Sequence, residues 1–249
     1  MINMNYLVSI LFSALAALIT LTVHEYCHAY AAYKLGDPTA KNLGRLTLNP
    51  IKHIDPIGAL CMVFFHFGWA KPVPINSRNF EKPRRDFAIT ALAGPLSNLI
   101  LAIITAFIYL LSYTILRDVR FDSSFLLGLA QNTLDFLYIF HIVNVGIAIF
   151  NLIPVPPLDG SRILNIILPE KVYFGIMKYE RVIYYVLLGW LLLGGAASRY
   201  LLSLPVIAAN PTLSFIAEYI SLSNILGAAI DGVSSLIFKL FRLIPFLNA

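Results

Sequence analysis

Four long apolar runs constrain this chain more than any other feature: approximately Tyr6 to Tyr33, Phe87 to Leu116, Phe125 to Phe150 and Val182 to Ile207. A helix needs about 20 apolar residues to cross the roughly 30 Å hydrocarbon core of a bilayer, and each run meets that length. Composition agrees. With 12% charged residues and a mean hydropathy of +0.78, the chain lies far from soluble domains, which carry about 25% charged residues. Backbone polar groups in lipid must be satisfied within the segment, so these runs are expected as helices. The fold class that follows is an all-α membrane protein, a polytopic helical bundle.

Shorter apolar pieces are harder to place. Ile57 to Phe67 is marginal for spanning and is expected to be re-entrant. Thr212 to Ile225 and Ile230 to Leu247 are expected at the interface or packed on the bundle, because Lys239 and Arg242 fall late in the second. Between the first two clear spans, Gly44 to Pro50 alternates crudely and ends in a turn signal, while Trp69 to Ile75 must be extended at Pro72 and Pro74. A small β-strand or re-entrant element is therefore expected there, lining a protein-walled cavity. No Lys or Arg occurs in Met1 to Ile10, and the apolar run continues into His24, so the first span is expected to be retained.

Charge orients the bundle. Nine basic residues, from Lys34 and Lys41 to Arg84 and Arg85, lie between the first and second clear spans, which makes that side cytoplasmic and the N-terminus external. The net charge of +5 is thus a matter of membrane topology, and no nucleic-acid recognition motif accompanies it. Cys27 and Cys61 are too few for a disulfide framework and are expected as buried thiols.

His24-Glu25-Tyr26-Cys27-His28 is H-E-x-x-H inside the first apolar run. Histidines at i and i+4 share one helix face, where two imidazoles can hold one zinc ion while the adjoining Glu25 serves as general base. Three ionisable residues within five positions of an apolar helix carry a high solvation cost, which favours function over packing. Catalytic zinc takes three protein ligands. The third is expected from Asp159, in Asn151-Leu152-Ile153-Pro154-Val155-Pro156-Pro157-Leu158-Asp159-Gly160, where three prolines interrupt the helix and Gly160 permits an unusual backbone angle. Later glutamates, Glu81, Glu170, Glu180 and Glu218, offer a gluzincin-type alternative but lack a paired E-x-x-x-D setting. A metal transporter would need ligands crossing the bilayer, and only one cluster is found.

An H-E-x-x-H in a membrane helix followed by N-x-x-P-x-P-x-L-D-G resembles the site-2 protease family of intramembrane zinc metalloproteases, peptidase family M50, over roughly residues 15 to 165. Ala93-Gly94-Pro95-Leu96-Ser97-Asn98, Gly44 to Pro50 and Phe67 to Pro74 also resemble family segments. The resemblance implies that His24, His28 and Asp159 bind one zinc ion per chain, that Glu25 is the catalytic base, and that membrane-spanning proteins are the substrates. No stretch is long enough for an inserted PDZ or CBS domain, so a compact member is expected, with a catalytic transmembrane core over 1–165 and transmembrane and interfacial helices over 166–249. Its place would be the plasma membrane, with the active site near the cytoplasmic face and self-association permitted.

An oxyanion formed during hydrolysis needs a donor, for which Asn98 and Asn151 are the substrate-binding or oxyanion candidates. The Gly44 to Pro50 strand is expected to bind the unwound substrate by edge pairing. Among the remaining polar residues, His53 is expected to be held by Asp55, His66 and His141 to pack, and Asp135 to find an interhelical partner or remain protonated.

Overall fold

The computed structural model describes residues 4–58 and 69–247. The helices are α1 (Met4–Lys34), α2 (Thr39–Asn42), α3 (Pro83–Leu116), α4 (Ser124–Leu152), α5 (Asp159–Ile167), α6 (Glu170–Met177), α7 (Glu180–Leu202), α8 (Pro205–Ala208), α9 (Pro211–Tyr219) and α10 (Leu222–Phe241). Among the described residues, five helices are long and apolar enough to cross a membrane: α1 from Leu7, α3, α4, α7 and α10. The first four correspond to the expected runs. The fifth corrects the expectation of two short C-terminal pieces, because Leu226-Gly227-Ala228-Ala229 continues the helix and the break falls earlier, at Ile220–Ser221. A single interior glycine costs a helix only about 1 kcal/mol, which apolar packing offsets.

α3 organises the bundle, packing against α1, α4, α5 and α10. Buried small residues make this close packing feasible: Ala29 and Ala32 on α1, Ala88, Ala91, Ala102 and Ala106 on α3, and Ala148 on α4. In a bilayer, where apolar side chains gain little by leaving lipid for one another, such backbone approach supplies the packing energy. Leu92, Leu96, Ile100 and Ile103 of α3 remain exposed, as befits a lipid-facing side. A core of Ala102, Ala106, Val145 and Ile237 joins α3, α4 and α10.

The expected small β element is not a sheet. Among the described residues the pairing is a single isolated antiparallel bridge between Ile54 and Ala70, and residues 43–49 form turns and bends that lead into a 3-10 turn at Pro50–Lys52. Pro72 and Pro74 have no N–H to give a ladder. The intervening donors go elsewhere: Lys71 N to the His53 carbonyl at 2.8 Å and Val73 N to the Glu25 carboxylate at 2.8 Å. With no strand at 44–50, edge pairing of a substrate there has no ladder to extend. The re-entrant piece expected over Ile57 to Phe67, together with Cys61 and His66, lies largely or wholly outside the described residues.

Candidate metal centre

The i, i+4 spacing on α1 brings the imidazoles of His24 and His28 together, with their Nε2 atoms 3.0 Å apart. The chain leaves α4 at Leu152, turns through the prolines and re-enters a helix at Asp159, whose Oδ2 lies 3.1 Å from His24 Nε2 and 3.2 Å from His28 Nε2. These donor atoms form a nearly equilateral triangle. Both histidines are buried and Asp159 is half-buried. The set therefore combines side chains 131 residues apart in sequence.

His28 Nδ1 is 2.7 Å from the Thr90 carbonyl, which can only accept, so the ring proton sits on Nδ1 and Nε2 presents its lone pair to the triangle. A lone pair facing a carboxylate oxygen at this distance is repulsive unless a metal ion or a shared proton lies among them. Two imidazole nitrogens and one carboxylate oxygen are the donors of an open, catalytic type of zinc site, so the residues fit a zinc ion. The bond to Thr90 also fixes the orientation of the ring, as outer partners of metal-ligating histidines commonly do. Pro95 lies one turn further along α3, and the bond it cannot make is the one to Ala91.

Two close approaches make the geometry sensitive to size. A Cβ on Gly94 would lie 2.4 Å from His28 Nε2 and 2.6 Å from His24 Cε1. One on Gly160 would lie 2.4 Å from the Leu152 carbonyl oxygen and 2.5 Å from that of Ile153. Gly160 does not adopt a left-handed backbone, so its value is this close contact with the end of α4 rather than the unusual angle expected. The far end of α5 is held too. Arg84 donates to the carbonyls of Asn165 at 2.9 Å and Leu168 at 2.7 Å, and Arg162 pairs with Glu180 of α7 at 2.9 Å.

Glu25 is 8% exposed and stands apart from the triangle, its Oε2 accepting the Val73 N–H. Asn98 is fully buried and its side-chain amide meets His24 Nδ1 at 2.9 Å, on the far side of the ring from the donor triangle. Asn151 is half-buried and donates to the Ile147 carbonyl of its own helix at 3.1 Å. Glu170 pairs with Arg84 and Glu180 with Arg162, so neither joins the triangle. His53 is held by the Thr47 carbonyl at 2.8 Å and not by Asp55, whose carboxylate takes the Ile57 and Gly58 amides. His141 is buried, with Nδ1 2.9 Å from the Ala102 carbonyl, while Asp135 lies on an exposed side of α4 with no hydrogen bond or ion pair among the described residues. Thr90 and Val73 contribute only backbone atoms to the site, which leave no signature in a sequence.

The family model of peptidase family M50 matches residues 12–194. The chain belongs to peptidase family M50. The resemblance drawn from its motifs is thereby borne out, and with it a zinc-dependent metalloendopeptidase of the site-2 protease type in a multi-pass membrane protein. YwhC of Bacillus subtilis (strain 168), named as a candidate zinc metalloprotease, is 46% identical over 155 residues, 62% of this chain and 68% of that protein. Rip2 of Mycolicibacterium smegmatis and of Mycobacterium tuberculosis, named likewise, are 28% and 32% identical, over 59% of this chain and 54% of each relative. No solved structure matches this M50 chain at a significant level.

Proposed function

We propose that this M50 member cleaves peptide bonds of membrane-spanning proteins within or beside the bilayer, with one zinc ion held by His24, His28 and Asp159 and with Glu25 as general base. The observation that carries the proposal is the convergence of two imidazole nitrogens and a carboxylate oxygen within 3.0 to 3.2 Å, inside a bundle of apolar helices. Zinc held there supplies Lewis acidity, polarising a scissile carbonyl and acidifying water.

The chain's own residues do the rest. Glu25 has one oxygen engaged by the Val73 N–H, which leaves Oε1 to take the proton of the attacking water and deliver it to the leaving amide nitrogen. Asn98 meets His24 on the far side of the ring from the donor triangle, whereas Asn151, near the end of α4 beside the loop to Asp159, keeps a second amide N–H beyond its bond to the Ile147 carbonyl and is the oxyanion donor in this scheme. A helical substrate hides its peptide bonds in backbone hydrogen bonds and must unwind before its carbonyl meets the site.

The basic residues between α1 and α3 support a plasma-membrane protein with an external N-terminus. His28 lies six residues before the end of α1 at Lys34, about 9 Å along the axis, which supports an active site near the cytoplasmic face. In the same scheme residues 1–165 form the catalytic core and 166–249 flank it.

The test is zinc content together with cleavage of labelled transmembrane peptides in liposomes, comparing the parent with Glu25→Gln. About one zinc per chain in both, with cleavage only in the parent, is expected. Absence of zinc under metal-replete conditions would overturn the proposal.

A further inference from the structure

We propose that Asp37 is a positioning residue for Glu25, acting at a distance through the extended strap Lys71–Asn76; this rests on Glu25 being the base. The strap is pinned at both ends. At its start Lys71 N donates to the His53 carbonyl at 2.8 Å, and Arg45 Nη2 donates to the Lys71 carbonyl at 2.7 Å. At its end Asn76 N donates to Asp37 Oδ2 at 2.7 Å. Between the pins, Pro72 and Pro74 fix φ and give no N–H, so the only donor from 72 to 74 is Val73 N, and it points at Glu25 Oε2.

Asp37 is built for this task. It is fully buried, yet no basic side chain pairs with it among the described residues. Its carboxylate is satisfied by donors alone: Asn76 N, Asn79 Nδ2 at 2.7 Å, Thr39 N at 3.1 Å and the Thr39 hydroxyl. Asp37 N donates to the Ala32 carbonyl at 2.9 Å, which ties Asp37 to the helix that carries Glu25. The strap is thus registered against α1 at two points, the base and the anchor. Val73 is also seated by apolar contact with Ala29 and Ala40, which resists rotation of the strap about its pins. A catalytic group misplaced by about 1 Å loses on the order of 100-fold in rate, so the pin three residues from Val73 bears on the chemistry.

The experiment uses full-length protein in detergent or liposomes and the variants Asp37→Asn, Val73→Pro and their combination. Proline at 73 removes the N–H and keeps the strap extended, as a residue before proline already is, while trimming the contact with Ala29 and Ala40. The readouts are zinc content, kcat and KM on a labelled transmembrane peptide that the parent cuts, and hydrogen exchange at the Val73 amide. Expected are parent-level zinc, kcat lowered about 10-fold or more in each single variant with KM within about 2-fold, and no further loss in the double variant. Exchange at Val73 should quicken in Asp37→Asn. Unchanged Val73 exchange, multiplying losses, or loss of zinc along with kcat would each overturn the strap. A Glu25→Gln protein that still cleaves would instead overturn the base assignment, and the two failures are told apart by the exchange measurement, which needs no activity.

Discussion

The buried amide of Asn98 meets His24 Nδ1 at 2.9 Å, while its Oδ1 has no hydrogen-bond partner among the described residues. With Nδ2 nearest the ring, the imidazole proton would fall on Nε2, in the middle of the donor triangle. A half-turn of the amide offers Oδ1 to an Nδ1–H, satisfies the orphaned oxygen and frees Nε2 for metal, so that orientation is the one compatible with zinc. Asn98→Ala is expected to weaken zinc binding about 10- to 100-fold, the range seen for outer partners of metal ligands. Competition with a chelator measures it.

Gly94→Ala tests how closely α3 must approach the two imidazoles. Alanine is favoured over glycine in a helix by about 1 kcal/mol, yet its methyl would press on both imidazoles at 2.4 to 2.6 Å. Both rings are buried and pinned, so thermal stability without metal should fall despite the helix preference for alanine, and zinc affinity should fall at least about 10-fold. Equal affinity in parent and variant would show that the rings can yield.

Gly160→Ala meets backbone rather than a ring that can turn, at the Leu152 and Ile153 carbonyls. α5 must then shift away from α4 and take Asp159 with it. Zinc content is expected to fall below half an ion per chain under conditions that saturate the parent, while α-helical circular dichroism stays within about 5% because α5 holds nine residues.

Burial of Asp37 opposes its ionisation, but the donors from Thr39, Asn76 and Asn79 outweigh that and hold its carboxyl below the usual carboxylate range. A depressed folded value stabilises the protein above the unfolded value of about 3.9 and ceases to do so as pH falls through the folded one. The stability gap between parent and Asp37→Asn should therefore be full at pH 6 to 7 and close progressively below about pH 4. Unfolding midpoints measured from pH 3 to pH 7 test the sign.

Much of the site was legible in the sequence because its signals are local. An i, i+4 pair of histidines with an adjoining glutamate specifies one helix face, and an aspartate after a proline-broken helix marks a turn back into the bundle. The role of Asn98 was not legible as such. Its type predicted a buried hydrogen bond, but whether that bond faced a substrate or the back of His24 depended on the packing of α3 against α1. The strand expected near residues 44–50 failed for a similar reason. Alternation there was real, but the facing segment contains Pro72 and Pro74, and its donors found Glu25 and the His53 carbonyl in place of a neighbouring strand.

The sequence by itself determined the solvent, the helices and the kinds of chemistry available, since apolar length and residue type act within one segment. Tertiary structure alone decided that Asp159 closes the donor triangle, that Gly94 and Gly160 have no room for a methyl, and that a backbone N–H at Val73 holds Glu25. Those facts depend on where helices meet and on backbone atoms common to every residue, so a pattern of side chains does not encode them one position at a time.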